Sequence, residues 1–191
     1  MPHRAHEHLI RIALETSDSV LIQPVIGLRK EGDFSSNAII RGYEVLISEF
    51  LPSERIMLVP IKIPMWFAGP REALLHAIIR KNFGCSHFIV GRDQAGVGNW
   101  YGKYDAQDLA IKHEKELQIK ILPLREPFYC SICGSMASES SCSMNHQTGG
   151  GRHEISGTWL RKTIRNSERI DNRLVRPQVI DEILKLGDIF E

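Results

Sequence analysis

Apolar positions in this chain change their period repeatedly between the helical and the extended. His6, Leu9, Ile10, Ala13 and Leu14 recur at helical spacing, which predicts an amphipathic helix from Arg4 to about Thr16. The next run, SVLIQPVIG, is continuously apolar between turn residues and reads as a buried strand. SSNAIIRGYEVLISEFL returns to the helical period behind a Ser cap, and RIMLVPIKI follows as a second strand. GPREALLHAIIRKNFG opens with Pro70 in its first turn and closes at Gly84, the usual placement of Pro and Gly at helix ends. HFIVG is a third strand, DAQDLAIKHEKEL a further helix, and IKILPL a fourth strand. This αβαβαβαβ order predicts an α/β protein with a mostly parallel, doubly wound, Rossmann-like sheet and helices on both faces. Such a sheet normally opens on a strand, and here a helix comes first, so the first strand is expected to be missing. The Ser- and Gly-rich stretch from Ser135 to Gly151 reads as an irregular insertion.

Composition narrows the partners. With 191 residues, 42% of them hydrophobic, the chain can bury a substantial core. Lys plus Arg number 24 against 23 Asp plus Glu, a formal charge of +1, so bulk charge gives no argument for nucleic acid or a membrane surface. No apolar run approaches the roughly 20 residues of a membrane span, and MPHRAHEH lacks the layout of a signal peptide; a cytoplasmic protein is expected.

Three segments carry donors suited to anions. Ligands of open parallel sheets sit beyond the carboxyl ends of strands, where Gly91, Arg92, Asp93, Gln94 and Ala95 follow HFIV. Glycine permits close backbone approach there, and Arg92 offers a planar fork for phosphate or sulfate; a plain turn with Arg92 paired to Asp93 is the alternative. His3 and His6 share one face of the first helical turn, at the positive end of the helix dipole, although two such histidines also occur as ordinary surface residues. Ser156, Thr158 and Arg161 open another helix with hydroxyls and a guanidinium, equally compatible with a simple cap and an exposed Arg. His8, His76, His87 and His113 have no partner pattern and are assigned to packing or solvent.

The sharpest chemical pattern is Cys130-x2-Cys133-x8-Cys142-x3-His146. Three thiolates and an imidazole satisfy tetrahedral zinc and leave no open position, so a structural role is expected, with His153 as competitor for the fourth place. Reduced, partly buried cysteines are the alternative.

Taken together, HRAH, RGYEVL, FAGPREALLHAIIRKNFGCSHFIVGRDQAGVG, YGKYDAQ, FYCSICGSMAS, ISGTWLRK and RPQVIDEIL resemble the catalytic domain of the ATP sulfurylase (sulfate adenylyltransferase) family, whose zinc-containing members share the Cys and His spacing. The resemblance implies a nucleotidylyltransferase fold and attack of a sulfate oxygen on the α-phosphorus of ATP. Adenylyl sulfate and diphosphate are the products, and magnesium accompanies the nucleotide. It assigns His3 and His6 to catalysis and Gly91, Arg92, Asp93 and Gln94 to the nucleotide-binding loop. Ala95 falls to sulfate, Ser156, Thr158 and Arg161 to the second phosphate motif, and Pro127 to the stretch whose backbone reads adenine. The implied layout is a catalytic domain over 1–154 with a zinc-binding insertion at 129–150, then a helical segment over 155–191.

Departures accompany the likeness. Gln94 stands where the family usually has His, and Trp66 where Arg is common. The family's Gln-Thr-Arg-Asn-Pro loop, whose Arg binds sulfate, and its N-terminal PUA-like domain lie outside this sequence. The chain is therefore expected to be a fragment or misplaced start, one piece of a split enzyme, or a degenerate zinc- and nucleotide-binding module. A homo-oligomer or a complementing N-terminal partner is the expected assembly. A different nucleotidylyltransferase keeps the fold and changes the acceptor.

Overall fold

A computed structural model describes residues 1–27, 31–92, 94–96 and 100–191. Helix α1 (Arg4–Thr16) buries Ile10, Ala13 and Leu14 of the predicted stripe, together with Ala5 and Glu7, while His6 and Leu9 are half-buried. Strand β1 (Val20–Ile22) follows, then α2 (Ser36–Phe50), whose Ser35 cap accepts the Ala38 N–H at 3.2 Å. A short 3-10 turn leads into β2 (Ile56–Leu58). Strands β1 and β2 are parallel with Val20 opposite Ile56, and a bridge from Val25 to Ile61 extends the pairing. A side chain at Gly27 would put its Cβ 1.7 Å from the Ile63 carbonyl oxygen, so this approach of two backbones requires glycine.

The chain divides into two compact units, one of residues 1–64 and 127–191, the other of residues 65–126. In the first, α8 (Pro177–Leu184) lays Val179 and Ile183 against Leu46 of α2 and Ile10 and Leu14 of α1. A second core joins Ala5, Phe34 and Ile39 to Ile155, Leu160, Leu174 and Val175, and so seats α7 (Gly157–Arg165). The stretch expected to be irregular is ordered: β5 (Pro127–Cys130) is flanked by antiparallel β6 (Ser135–Ser138) and β7 (Arg152–His153), with α6 (Met144–Thr148) between. Its strands SMAS and RH lack the continuous apolar run that marks β1 and β2.

The second unit is a βαβ arrangement behind a helix. Helix α3 (Pro70–Asn82) leads to β3 (His87–Val90), then α4 (Asp105–Lys112), α5 (Glu114–Leu117) and β4 (Lys120–Pro123), which pairs parallel with β3. Alanines 73, 77, 106 and 110 let α3 and α4 approach closely over Val90 and Ile121. The helix predicted over 105–117 breaks at His113, where φ −101° and ψ 12° leave the helical basin. The observed class is thus α/β with parallel strand pairs and helices, plus an antiparallel appendage. No helix among the described residues is long and apolar enough to cross a membrane.

Candidate functional site

His3 is the N-cap of α1 and His6 the third residue of the helix. The two rings lie 3.9 Å apart between centroids, tilted by 36°, and His6 meets Tyr43 edge-on at 6.4 Å. The His3 backbone N–H donates to His6 Nδ1 at 3.3 Å. That bond makes Nδ1 an acceptor and places the His6 ring proton on Nε2, a free donor. Burial depresses the His6 pKa to about 4 and takes His3 well below its ordinary value, with His6 adding to the effect. Both imidazoles are therefore neutral at pH 7. Buried His3 Nδ1 has no hydrogen-bond partner among the described residues, a polar atom that a ligand could satisfy.

In the same unit, Ser156 caps α7 by accepting the Trp159 N–H at 3.1 Å. One turn on, Arg161 donates to Thr158 Oγ1 at 3.1 Å and pairs with Asp33 at 3.1 Å. Ser156, Thr158 and Arg161 thus share the first turns of α7, with Ser156 acting as a cap and the Arg161 guanidinium held on Asp33. Pro127 begins β5, buried and opposite Ser138.

In the second unit, Gly91 follows β3, and Arg92 Nε lies 3.2 Å from Glu126 Oε1. Lys103 approaches the other oxygen at 3.5 Å. Asp93 lies outside the described residues. Gln94 is half-buried, and Ala95 takes a left-handed φ of 56°. This conformation costs a non-glycine residue about 1 kcal/mol, and it is held by the Gly69 N–H donating to the Ala95 carbonyl at 3.0 Å. Gly69 has φ 51°, and a Cβ there would lie 2.4 Å from the Tyr101 ring. Glu72 accepts the N–H groups of Trp66 and Ala68 at 3.2 and 2.9 Å, so α3 grips the 65–69 turn that grips Ala95.

Cys130, Cys133, Cys142 and His146 present ligand atoms within 4.8 Å of one another. Cys133 Sγ is 3.9 Å from Cys142 Sγ and 3.2 Å from His146 Nδ1, while Cys130 Sγ is 4.0 Å from that nitrogen. Around tetrahedral zinc with bonds of about 2.3 Å, sulfurs are separated by about 3.8 Å, so these donors could hold such a metal. The Cys133 N–H, 3.4 Å from Cys130 Sγ, pulls the Cys130 thiol down to about 7, and burial pushes Cys142 up to about 11. His153 stands in β7 across from Tyr129 and is not of the cluster.

Several residues that shape these sites escaped the sequence patterns. Asp33 is a single acid whose partner Arg161 is distant in sequence, and the side-chain pairing of Glu126 with Arg92 had no local signal. Gln107 is buried in α4 and donates to the carbonyls of Val90 and Leu124, both at 2.8 Å. Glu7 adjoins the paired histidines yet gave no signal, because its arginine Arg176 lies 169 residues away.

Comparison with known proteins gives a consistent picture. The ATP-sulfurylase family model matches residues 1–186. A sulfate adenylyltransferase of Ignicoccus hospitalis is 43% identical over 190 residues, all of this chain and 49% of that protein. One from Halothermothrix orenii is 42% identical over 185 residues, 96% of this chain and 47% of its own length. The chain thus spans about half the length of the curated relatives it matches. A solved structure of a hexameric APS kinase from Thiobacillus denitrificans superposes with a TM-score of 0.71 at 21% identity, over 98% of this chain and 35% of that one, a likeness of fold.

Proposed function

The chain belongs to the ATP-sulfurylase family, and from that premise we propose that it takes part in adenylylating sulfate. A sulfate oxygen attacks the α-phosphorus of ATP, the bond to the bridging oxygen breaks, and diphosphate leaves. The observation that carries this reading is the pair of neutral imidazoles at the start of α1. Charge moves onto the departing diphosphate, and His6 Nε2–H with the His3 ring are donors able to meet it without a proton changing hands. Both rings are neutral, so they act there as hydrogen-bond donors and bring no charge of their own.

Thr158, Arg161 and the first turn of α7 offer a second phosphate cradle once Arg161 exchanges Asp33 for phosphate. Arg92, Gln94 and the turn at Ala95 supply donors for nucleotide and sulfate, with Gly91 and Asp93 completing the loop and Pro127 lending backbone to adenine. Magnesium brought with ATP would neutralise phosphate charge. Zinc on Cys130, Cys133, Cys142 and His146 would pin β5 to α6, with all four positions taken by protein. The reaction belongs in the cytoplasm, where ATP is supplied.

The test is diphosphate release from ATP with and without sulfate, with adenylyl sulfate identified as product. Sulfate-dependent release that falls about 10²-fold or more in His6→Asn is expected. Release indifferent to sulfate, or undiminished in that variant, would exclude the reading.

A further inference from the structure

Glu7 follows His6 on α1, and its side chain is only 4% exposed. Three arginines surround its carboxylate. Arg176 donates from Nε to Oε2 at 2.9 Å and from Nη2 to Oε1 at 2.7 Å. Arg11 donates to Oε1 from Nε at 3.1 Å and from Nη2 at 2.9 Å, and Arg4 reaches Oε2 at 3.4 Å. Burial alone would raise the Glu7 pKa, but the bonds from Arg176 and Arg11 outweigh it and the carboxyl is held below its ordinary value.

Each arginine is itself anchored. Arg176 caps α8 and lies over the Phe50 ring at 4.0 Å, while Arg11 also donates to the Phe50 carbonyl at 2.7 Å. The Arg4 N–H is fixed separately to the Leu174 carbonyl at 2.9 Å. One carboxylate thus ties the first two turns of α1 to the end of α2 and the start of α8. Well-packed apolar residues generally stabilise such a place as well as a buried ion cluster does. What the cluster adds is a single permitted geometry, and the element it fixes is the turn bearing His3 and His6.

Resting on the sulfate-adenylylation reading, we propose that Glu7 is a positioning residue: gripped by Arg176 and Arg11, it sets the rotation and depth of the first turn of α1 and so aims the His3 and His6 imidazoles at the nucleotide phosphates.

The test compares the wild-type chain with Glu7→Gln and with Arg176→Lys, which keeps the charge and loses the fork. Two readouts are taken: steady-state kcat and KM for ATP, and the titration of the His3 and His6 rings by NMR without substrate. Misplacement on the scale of 1 Å lowers kcat about 10²-fold, and KM should change little by comparison. The His6 titration, at about 4 in the intact turn, should move up toward 6.5 as the loosened ring meets water. Arg176→Lys should shift both readouts in the same direction by less. Wild-type histidine titrations in a folded variant, with kcat lowered only in proportion to the unfolded fraction, would overturn the proposal and leave Glu7 a stabilising residue. If Glu7→Gln does not fold, Arg176→Lys decides on the same criteria. Absence of turnover in the wild type would count against the reaction, while the titrations would still decide for or against Glu7.

Discussion

Replacing Gln107 with Leu tests how the loop after β3 is supported. The Gln107 amide nitrogen donates to the carbonyls of Val90 and Leu124, both at 2.8 Å, from a side chain 2% exposed. These carbonyls end the β3–β4 ladder. Pro123 opposite Val90 has no N–H to give, and the Leu124 N–H turns back to the Leu122 carbonyl at 3.0 Å. Leu fills a similar volume, so the cavity contribution is small and the cost is that of two carbonyls stripped of their donor. At about 1–3 kcal/mol for each buried group, less what water recovers, the loss is about 2–4 kcal/mol. With a urea m-value of about 2 kcal/mol/M, the midpoint should fall by about 1–2 M. Gln107→Glu should be worse at pH 7, where a carboxylate faces two carbonyl oxygens, and should improve in acid as a donor proton is restored. A loss below about 0.5 kcal/mol in the Leu variant, the range of an ordinary surface change, would refute this account of the strand ends.

Three further outcomes follow from the geometry. Purified chain should carry about one zinc per molecule by elemental analysis, and Cys142→Ser should remove it and lower Tm by at least about 5 °C; retained Tm without metal would refute the structural role. Because the folded-state pKa values of His3 and His6 lie below the unfolded value of 6.5, the unfolded chain binds more protons. Their contribution is therefore whole above pH 6.5 and is lost as pH falls toward 4. The slope of unfolding midpoint against pH in that window should flatten in His6→Gln, and an unchanged slope would contradict the burial of the ring. Asp33→Asn frees Arg161 and should tighten diphosphate binding by about two- to fivefold, the scale of an exposed ion pair; calorimetry showing weaker binding would mean Asp33 assists the ligand instead.

The parts of the fold visible in the sequence are those with long periods. The limits of α1, α2 and α3 follow from spacing and caps, since thirteen to fifteen residues give three or four returns of the apolar stripe. Strands β1 to β4 are equally short but lie in continuous apolar runs, whereas β6 (SMAS) and β7 (RH) lie among Ser, Gly and charged residues that carry no such run. Among the candidate residues, neighbours close in sequence are also close in space: His3 with His6, Thr158 with Arg161, and the four residues from Cys130 to His146. Residues completed by distant partners were not. Asp33 meets Arg161 across 128 positions, derived as 161 minus 33, and no one-dimensional pattern encodes that meeting.

The carboxylates at these sites are of two kinds: Asp33 meets one arginine, and Glu7 is gripped by three. Asp33 lies beside Arg161 at 3.1 Å and Glu126 beside Arg92 at 3.2 Å. Asp33 and Arg161 are 27% and 30% exposed, so water competes and that pair is worth at most about 1 kcal/mol, whereas Glu126 is buried beside both Arg92 and Lys103. If Arg161 serves phosphate as proposed, a polyphosphate offering bidentate, charge-assisted bonds would exceed the Asp33 pair readily. Glu7, 4% exposed and held by three arginines, is of the other kind. Removing one partner of such a cluster costs about 3–5 kcal/mol, more than a ligand contact would return at the same place. On the proposed reading, Arg176 would stay with Glu7 while Arg161 exchanged Asp33 for phosphate, leaving the turn that carries His3 and His6 undisturbed.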